Sequence, residues 1–230
     1  MKLDVQSTYQ SNTVPAGKAD NINRWVPTVV FLLALAFNLP YLTGGFFADD
    51  FILVNALESG DPPFSPWLGA WITTEVPGFD NLWWKDNALA VSFWRPLPSL
   101  VLSGLVALFG KNPMPMHAFS VLLHGLVSLL VVILAYRLTG KRSIALVAGL
   151  LFAIGEDQTV TVGWISTVTD ILCTFGTLLS LILHIAYLRR RQSIFLVGSM
   201  LALSAALASK ETTFVCYSIG LTTNTCNTTH

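Results

Sequence analysis

Long apolar runs alternate with short polar connections along the chain, and the run lengths predict its elements. From Trp25 to Thr43 nearly every residue is apolar. At about 1.5 Å per residue, such a run crosses a hydrocarbon core about 30 Å thick. Met116–Tyr136 and Asp170–Leu188 read the same way. Asn38 and Pro40 interrupt the first run near its far end, where the helix is expected to pack against protein rather than lipid. Leu97–Gly110 is apolar over only 14 residues, a helix of about 21 Å, and predicts a re-entrant or surface helix. The predicted spans are residues 25–43, 117–136, 144–154, 170–188 and 194–208. Segment 144–154 is as short as the helix left outside the set, so it must thin the bilayer or continue as helix past Gly155.

Between the first two spans the character changes. Residues 44–96 carry seven acidic residues and five of the tryptophans, Trp67, Trp71, Trp83, Trp84 and Trp94. Tryptophan favours the headgroup layer, where its ring is sheltered and its N–H is wet. This loop is therefore expected along the membrane surface as short juxtamembrane helices. Residues 1–24 are rich in Ser, Thr, Asn and Gln and predict a disordered tail. The Thr- and Asn-rich stretch 212–230 predicts an irregular tail, read as the end of a truncated chain.

Composition agrees with this pattern. The chain is 53% hydrophobic and 11% charged, against about 25% charged in soluble proteins, which defines an all-α polytopic membrane protein. Thirteen basic and thirteen acidic residues balance, so no electrostatic case exists for nucleic acid as a partner. Cys173, Cys216 and Cys226 show neither metal spacing nor an even-numbered framework. The first run is too long and too aromatic for a cleaved leader and reads as a retained span.

Charge sets the orientation. Residues 1–24, 137–143 and 189–193 hold nine of the thirteen basic residues, and the positive-inside rule places all three segments in the cytoplasm. The outer face then gathers Asp49, Asp50, Arg95, His117, Glu156, Asp157, Asp170, Lys210 and Glu211. Two adjacent carboxylates at the mouth of a span are costly near hydrocarbon and need a reason to be there. A transferase with a lipid-phosphate donor supplies one: a base takes the acceptor's proton, and cations hold the phosphate leaving group. Arginine suits the second task through its planar fork. Plainer roles compete at several positions. Asp170 opens an apolar run as helix N-caps do, Arg95 suits a headgroup anchor, and His117 and His124, seven apart on one helical face, suit packing.

The acidic pair after span one, Phe93-Trp94-Arg95-Pro96-Leu97, Phe109-Gly110-Lys111-Asn112-Pro113 with His117 and His124, Gly163-Trp164-Ile165-Ser166 with Asp170, and Ser209-Lys210-Glu211 together resemble the N-terminal half of GT-C glycosyltransferases. Within that superfamily the chain is most similar to the protein O-mannosyltransferase type and to the membrane mannosyltransferases that carry tetratricopeptide repeats. The resemblance runs from about residue 25 to residue 211. It implies a polyprenyl or dolichyl phosphate sugar as donor, a protein hydroxyl or glycan as acceptor, and inverting transfer on the outer or lumenal face. The membrane would be the bacterial inner membrane or that of the endoplasmic reticulum. It also implies that Asp49 acts as base or orienting carboxylate, that Asp50 assists acceptor or metal binding, and that Arg95 and Lys210 hold the donor phosphate. Some members of such families use a divalent metal and others do not, which leaves the cofactor open. The repeat-bearing relatives show His-Pro-x-His-x-Glu before the Trp-Ile-Ser, where this chain reads Gly155-Glu156-Asp157-Gln158, so histidine ligation of a metal there is not expected. The C-terminal half of such enzymes is absent, and the chain reads as an N-terminal fragment. The rival readings are a small transporter or lipid-handling protein and an inactive scaffold. A transporter places ionisable groups near the midplane, and His124 alone meets that description.

Overall fold

A computed structural model of the chain describes residues 22, 25–59, 70–73, 91–155 and 161–214. The expected tail before Trp25, Glu156 and Asp157, and the stretch after residue 214 fall largely or wholly outside these. The described chain is a bundle of helices. Helix α1 (Trp25–Asn38) continues as a 3₁₀ turn over Leu39–Thr43, and α2 spans Asp50–Ser59. Strands β1 (Ala70–Thr73) and β2 (Val91–Trp94) follow, then α3 (Pro96–Phe109), α4 (Pro113–Thr139), α5 (Arg142–Ile154), a 3₁₀ turn at Ile165–Thr167, α6 (Val168–Arg190) and α7 (Ser193–Leu207).

Among the described residues, three helical stretches are long and apolar enough to cross a membrane: Trp25–Thr43, Pro113–Thr139 and Ile165–Arg190. The fold is that of an all-α polytopic membrane protein, with one exception the sequence reading did not anticipate. In the acidic loop, β1 and β2 pair antiparallel with Trp71 opposite Phe93 and Ile72 opposite Ser92. The loop is expected to hold short helices, and residues 70–73 and 91–94 form extended backbone instead. Helix α2 is one short helix in that loop.

The end of α1 follows from its sequence. Pro40 has no N–H to continue the ladder, and the helix tightens to 3₁₀ at Leu39. Asn38 is fully buried and donates to the Ala34 carbonyl at 2.8 Å. The interrupted end does pack against protein.

Small residues set the helix contacts. A β-carbon at Gly149 of α5 would stand 2.3 Å from Val132 Cγ2, so glycine lets α5 seat on the cluster of Val26, Val30, Ala34, Val132, Tyr136 and Ala145. A β-carbon at Gly176 of α6 would meet the Ala202 carbonyl of α7 at 2.9 Å. One turn on, Ser180 and Ser199 face each other, and the Ser199 hydroxyl donates to the Ser180 carbonyl at 3.0 Å. Close backbone approach over small residues is how apolar helices associate without water to drive them together.

The bundle has two chemically distinct ends. At one, Arg137 donates to the Ile182 carbonyl at 2.9 Å and Arg189 to the Arg137 carbonyl at 2.8 Å. The connections there also carry Lys141, Arg142, Arg190 and Arg191. At the other end lie the turn 44–50, the start of α3, the start of α4, residues 161–170 and the residues after α7. Helix α3 both begins and finishes at this second end. Its Leu97 N–H reaches the Ala208 carbonyl at 3.2 Å, and Gly110 to Asn112 then lead into α4, where His117 meets Gly45. A second apolar cluster of Leu53, Val54, Leu102, Val106, Met116, Ile165 and Val168 closes this end.

Candidate active site at the acidic end

The two neighbouring aspartates have different surroundings. Asp50 begins α2 and is fully buried. Its Oδ2 accepts the Phe47 N–H at 3.0 Å and the Ile165 N–H at 3.4 Å, and its Oδ1 accepts the Ser166 N–H at 2.8 Å. The amides of Ile165 and Ser166 sit at the head of the turn leading into α6, where a helix has no carbonyl to offer them. Asp50 therefore caps that head from 115 residues away. Burial pushes its carboxyl above the ordinary value of 3.8, the backbone N–H groups pull it back, and the neighbouring Asp49 adds a smaller upward push.

Asp49 is exposed. Its Oδ1 accepts the Trp164 indole N–H at 2.9 Å and the Ser166 hydroxyl at 3.3 Å. The opposing segments are tightly fitted. The Phe47 ring stands edge-on to Trp164 at 5.6 Å, and a β-carbon on Gly163 would stand 2.5 Å from the Tyr41 ring. Ala48, between Phe47 and the pair, takes a left-handed φ of 49°, which turns Asp49 outward while Asp50 turns in.

The cations occupy the same end. Lys210 Nζ meets Asp170 Oδ1 at 2.5 Å, and Arg95 Nη2 meets Glu211 Oε2 at 3.6 Å. Asp170 does not cap its helix. Helix α6 starts at Val168 with Thr167 before it, and Asp170 lies in the first turn, its carboxylate turned sideways to the lysine on the segment after α7. That segment is stitched further by the contact of the buried Cys173 Sγ with Thr213 Oγ1 at 2.8 Å.

Both histidines of α4 are buried. His117 is fully buried, and its Nε2 lies 3.3 Å from the Gly45 carbonyl, steadying the turn that leads to the aspartates. His124 lies 3.3 Å from the Ala153 carbonyl and stacks on Phe152 at 5.4 Å. It lines a cavity of about 210 Å³ with Val127, Thr161, Asp170, Ile171 and Thr174.

The structure thus brings Asp49, Asp50, Arg95, His117, Asp170, Lys210 and Glu211 to one end of the bundle. Glu156 and Asp157 lie outside the described residues. Among the described residues, no three His, Cys, Asp or Glu side chains gather to hold a metal. The pair itself suits a divalent ion only in part, because both Asp50 oxygens are taken by backbone N–H groups. A strongly hydrated ion held through Asp49 is the kind that such a donor set fits. Sequence reasoning missed the partners of Asp49. Trp164 and Ser166 stood in a recognised tetrad, but nothing local in it points to a carboxylate so distant along the chain.

An apolar helical bundle that gathers carboxylates, a lysine and an arginine at one end, and other basic residues at the opposite end, defines a membrane protein with a polar site at its rim. Residues 95–222 match the family model of dolichyl-phosphate-mannose-protein mannosyltransferases, more than half of the 230-residue chain. The chain belongs to that family, a glycosyltransferase family of the GT-C superfamily. The match takes in Arg95, Trp164, Ser166, Asp170, Lys210 and Glu211 and begins after the two aspartates. No curated protein and no solved structure matches the chain significantly.

Proposed function

We propose that the protein moves a mannosyl group from a polyprenyl or dolichyl phosphate donor to a hydroxyl of a protein or glycan, at the face of the membrane away from the cytosol. The observation that carries this reading is the exposed Asp49, held by Trp164 and Ser166 at the same end as Arg95 and Lys210. The sidedness rests on the basic end of the bundle, which the positive-inside rule assigns to the cytoplasm.

In this mechanism Asp49 takes the proton of the acceptor hydroxyl as its oxygen bonds to the sugar's anomeric carbon. The bond from that carbon to the phosphate oxygen breaks, and the isoprenoid phosphate leaves with the electron pair. Attack from the face opposite the leaving group inverts the anomeric centre. Asp50 takes no part in proton transfer, because its oxygens are occupied by amides; it holds the turn that presents Asp49. Arg95 and Lys210 meet the phosphate. The Glu211 side chain is 59% exposed and 3.6 Å from Arg95, a weak, solvent-screened pair. The donor's phosphodiester, a monoanion, exchanges for it and gains the bidentate contact arginine favours. Lys210, drawn in by Asp170, adds a second cation where negative charge grows on the leaving group.

Two substitutions test this in lipid vesicles supplied with dolichyl phosphate mannose and a serine-bearing peptide. Asp49→Asn is expected to lower kcat by about 100-fold or more, the range of a lost general base. Arg95→Ala is expected to raise KM for the donor. Wild-type turnover by Asp49→Asn would refute the role given to that residue.

A further inference from the structure

The contacts around Asp49 exceed what an exposed carboxylate needs. Water satisfies such a group, and the local backbone is already secured by Asp50 through three amides. Even so, two side-chain donors from the head of α6 converge on a single oxygen of Asp49, the Trp164 indole at 2.9 Å and the Ser166 hydroxyl at 3.3 Å. The donors are themselves fixed. The indole is braced edge-on by Phe47, its backbone is pressed to Tyr41 through Gly163, and Ser166 is tied through its N–H to Asp50. Among the described residues no hydrogen bond goes to the second oxygen, Oδ2.

We infer that Trp164 and Ser166 are positioning residues for Asp49, holding one carboxylate oxygen so that the other is presented to the acceptor hydroxyl. The inference rests on the proposed role of Asp49 as base. Two donors on one oxygen stop the carboxylate from rotating about its χ2 bond, whose preference is broad for aspartate. Both donors reach Oδ1 and leave its neighbour unblocked. The proton of the acceptor then passes to Oδ2 while Oδ1 stays anchored. A base held in this way keeps the reacting atoms in line, and small misplacements of such groups cost up to about 100-fold in rate.

Trp164→Phe keeps the ring against Phe47 and removes the N–H; Ser166→Ala removes the hydroxyl, and Ser166→Thr keeps it. In the vesicle assay, Trp164→Phe combined with Ser166→Ala is expected to lower kcat about 10- to 100-fold with KM for both substrates unchanged. Ser166→Thr in place of Ser166→Ala should restore part of the loss, with no fall in the melting midpoint of any variant. Full turnover by the doubly substituted protein, while Asp49→Asn is inactive, overturns the positioning inference and leaves the role of Asp49 standing. Full turnover by Asp49→Asn overturns both. A loss accompanied by a raised KM or a lowered melting midpoint makes the two residues structural and overturns the inference. A readout independent of turnover is the indole N–H resonance of Trp164, assigned by its disappearance in Trp164→Phe. It should move when Asp49 becomes Asn, and a stationary resonance shows that the contact does not exist.

Discussion

Two adjacent aspartates, identical in chemistry, are set apart by where their oxygens go. Asp50 acts as a bolt between the turn 47–50 and the head of α6, and removing its carboxylate strands buried amides. Asp50→Ala is expected to destabilise the protein by about 1–3 kcal/mol, read as a lower melting midpoint in detergent. Its pH dependence has a definite sign. Burial raises the folded value above 3.8, so the folded protein holds this proton more firmly than the unfolded chain does. The stability this group contributes is therefore fully present below the ordinary value and is lost as pH rises through the raised folded value. Wild type minus Asp50→Asn, followed by thermal melts from pH 3 upward, should show that difference shrinking with rising pH. The sequence pointed to both aspartates, because charge beside an apolar run is conspicuous. It did not distinguish them, because the distinction depends on Ile165 and Ser166, which approach only in the folded bundle.

Apolar length made the elements legible. Trp25–Thr43, Pro113–Thr139 and Ile165–Arg190 emerge as the long apolar helices, close to the runs read from the sequence. The short run at Leu97–Gly110 forms a helix whose two ends share one end of the bundle, a geometry that suits a segment dipping into or lying on the membrane. Two things escaped. The pairing of β1 with β2 joins strands far apart in a loop whose composition speaks of the interface rather than of pairing. The fit of α6 to α7 hangs on Gly176, whose value is visible only once Ala202 lies against it. Gly176→Val is expected to force those helices apart and cost about 1–3 kcal/mol by overpacking, measured as a lower melting midpoint. Gly198→Ala is a milder control, since its β-carbon would come no nearer than 3.3 Å to the Leu183 side chain.

Across the whole molecule the decisive feature is polarity of ends. Among the described residues, the connections that carry Arg137, Lys141, Arg142 and Arg189 to Arg191 fold to one end, and the aspartate pair, Asp170, Glu211, Arg95 and Lys210 fold to the other. Loop charge made this readable in advance, because the cost of moving charge across hydrocarbon leaves few arrangements of the runs. The details at the acidic end were not readable, since its ion pairs join the start of α3, the first turn of α6 and the segment after α7. The measurement that tests the account most directly is the sidedness of those two ends. Single cysteines are introduced into a cysteine-free protein as Gly45→Cys and Glu211→Cys at one end, and as Lys141→Cys and Arg190→Cys at the other. They are then labelled in sealed, oriented vesicles with a membrane-impermeant maleimide. The account predicts that positions 45 and 211 react from the face away from the cytosol and that positions 141 and 190 react only from the cytosolic face. Labelling of 45 and 211 from opposite faces, or of all four from one face, would contradict it.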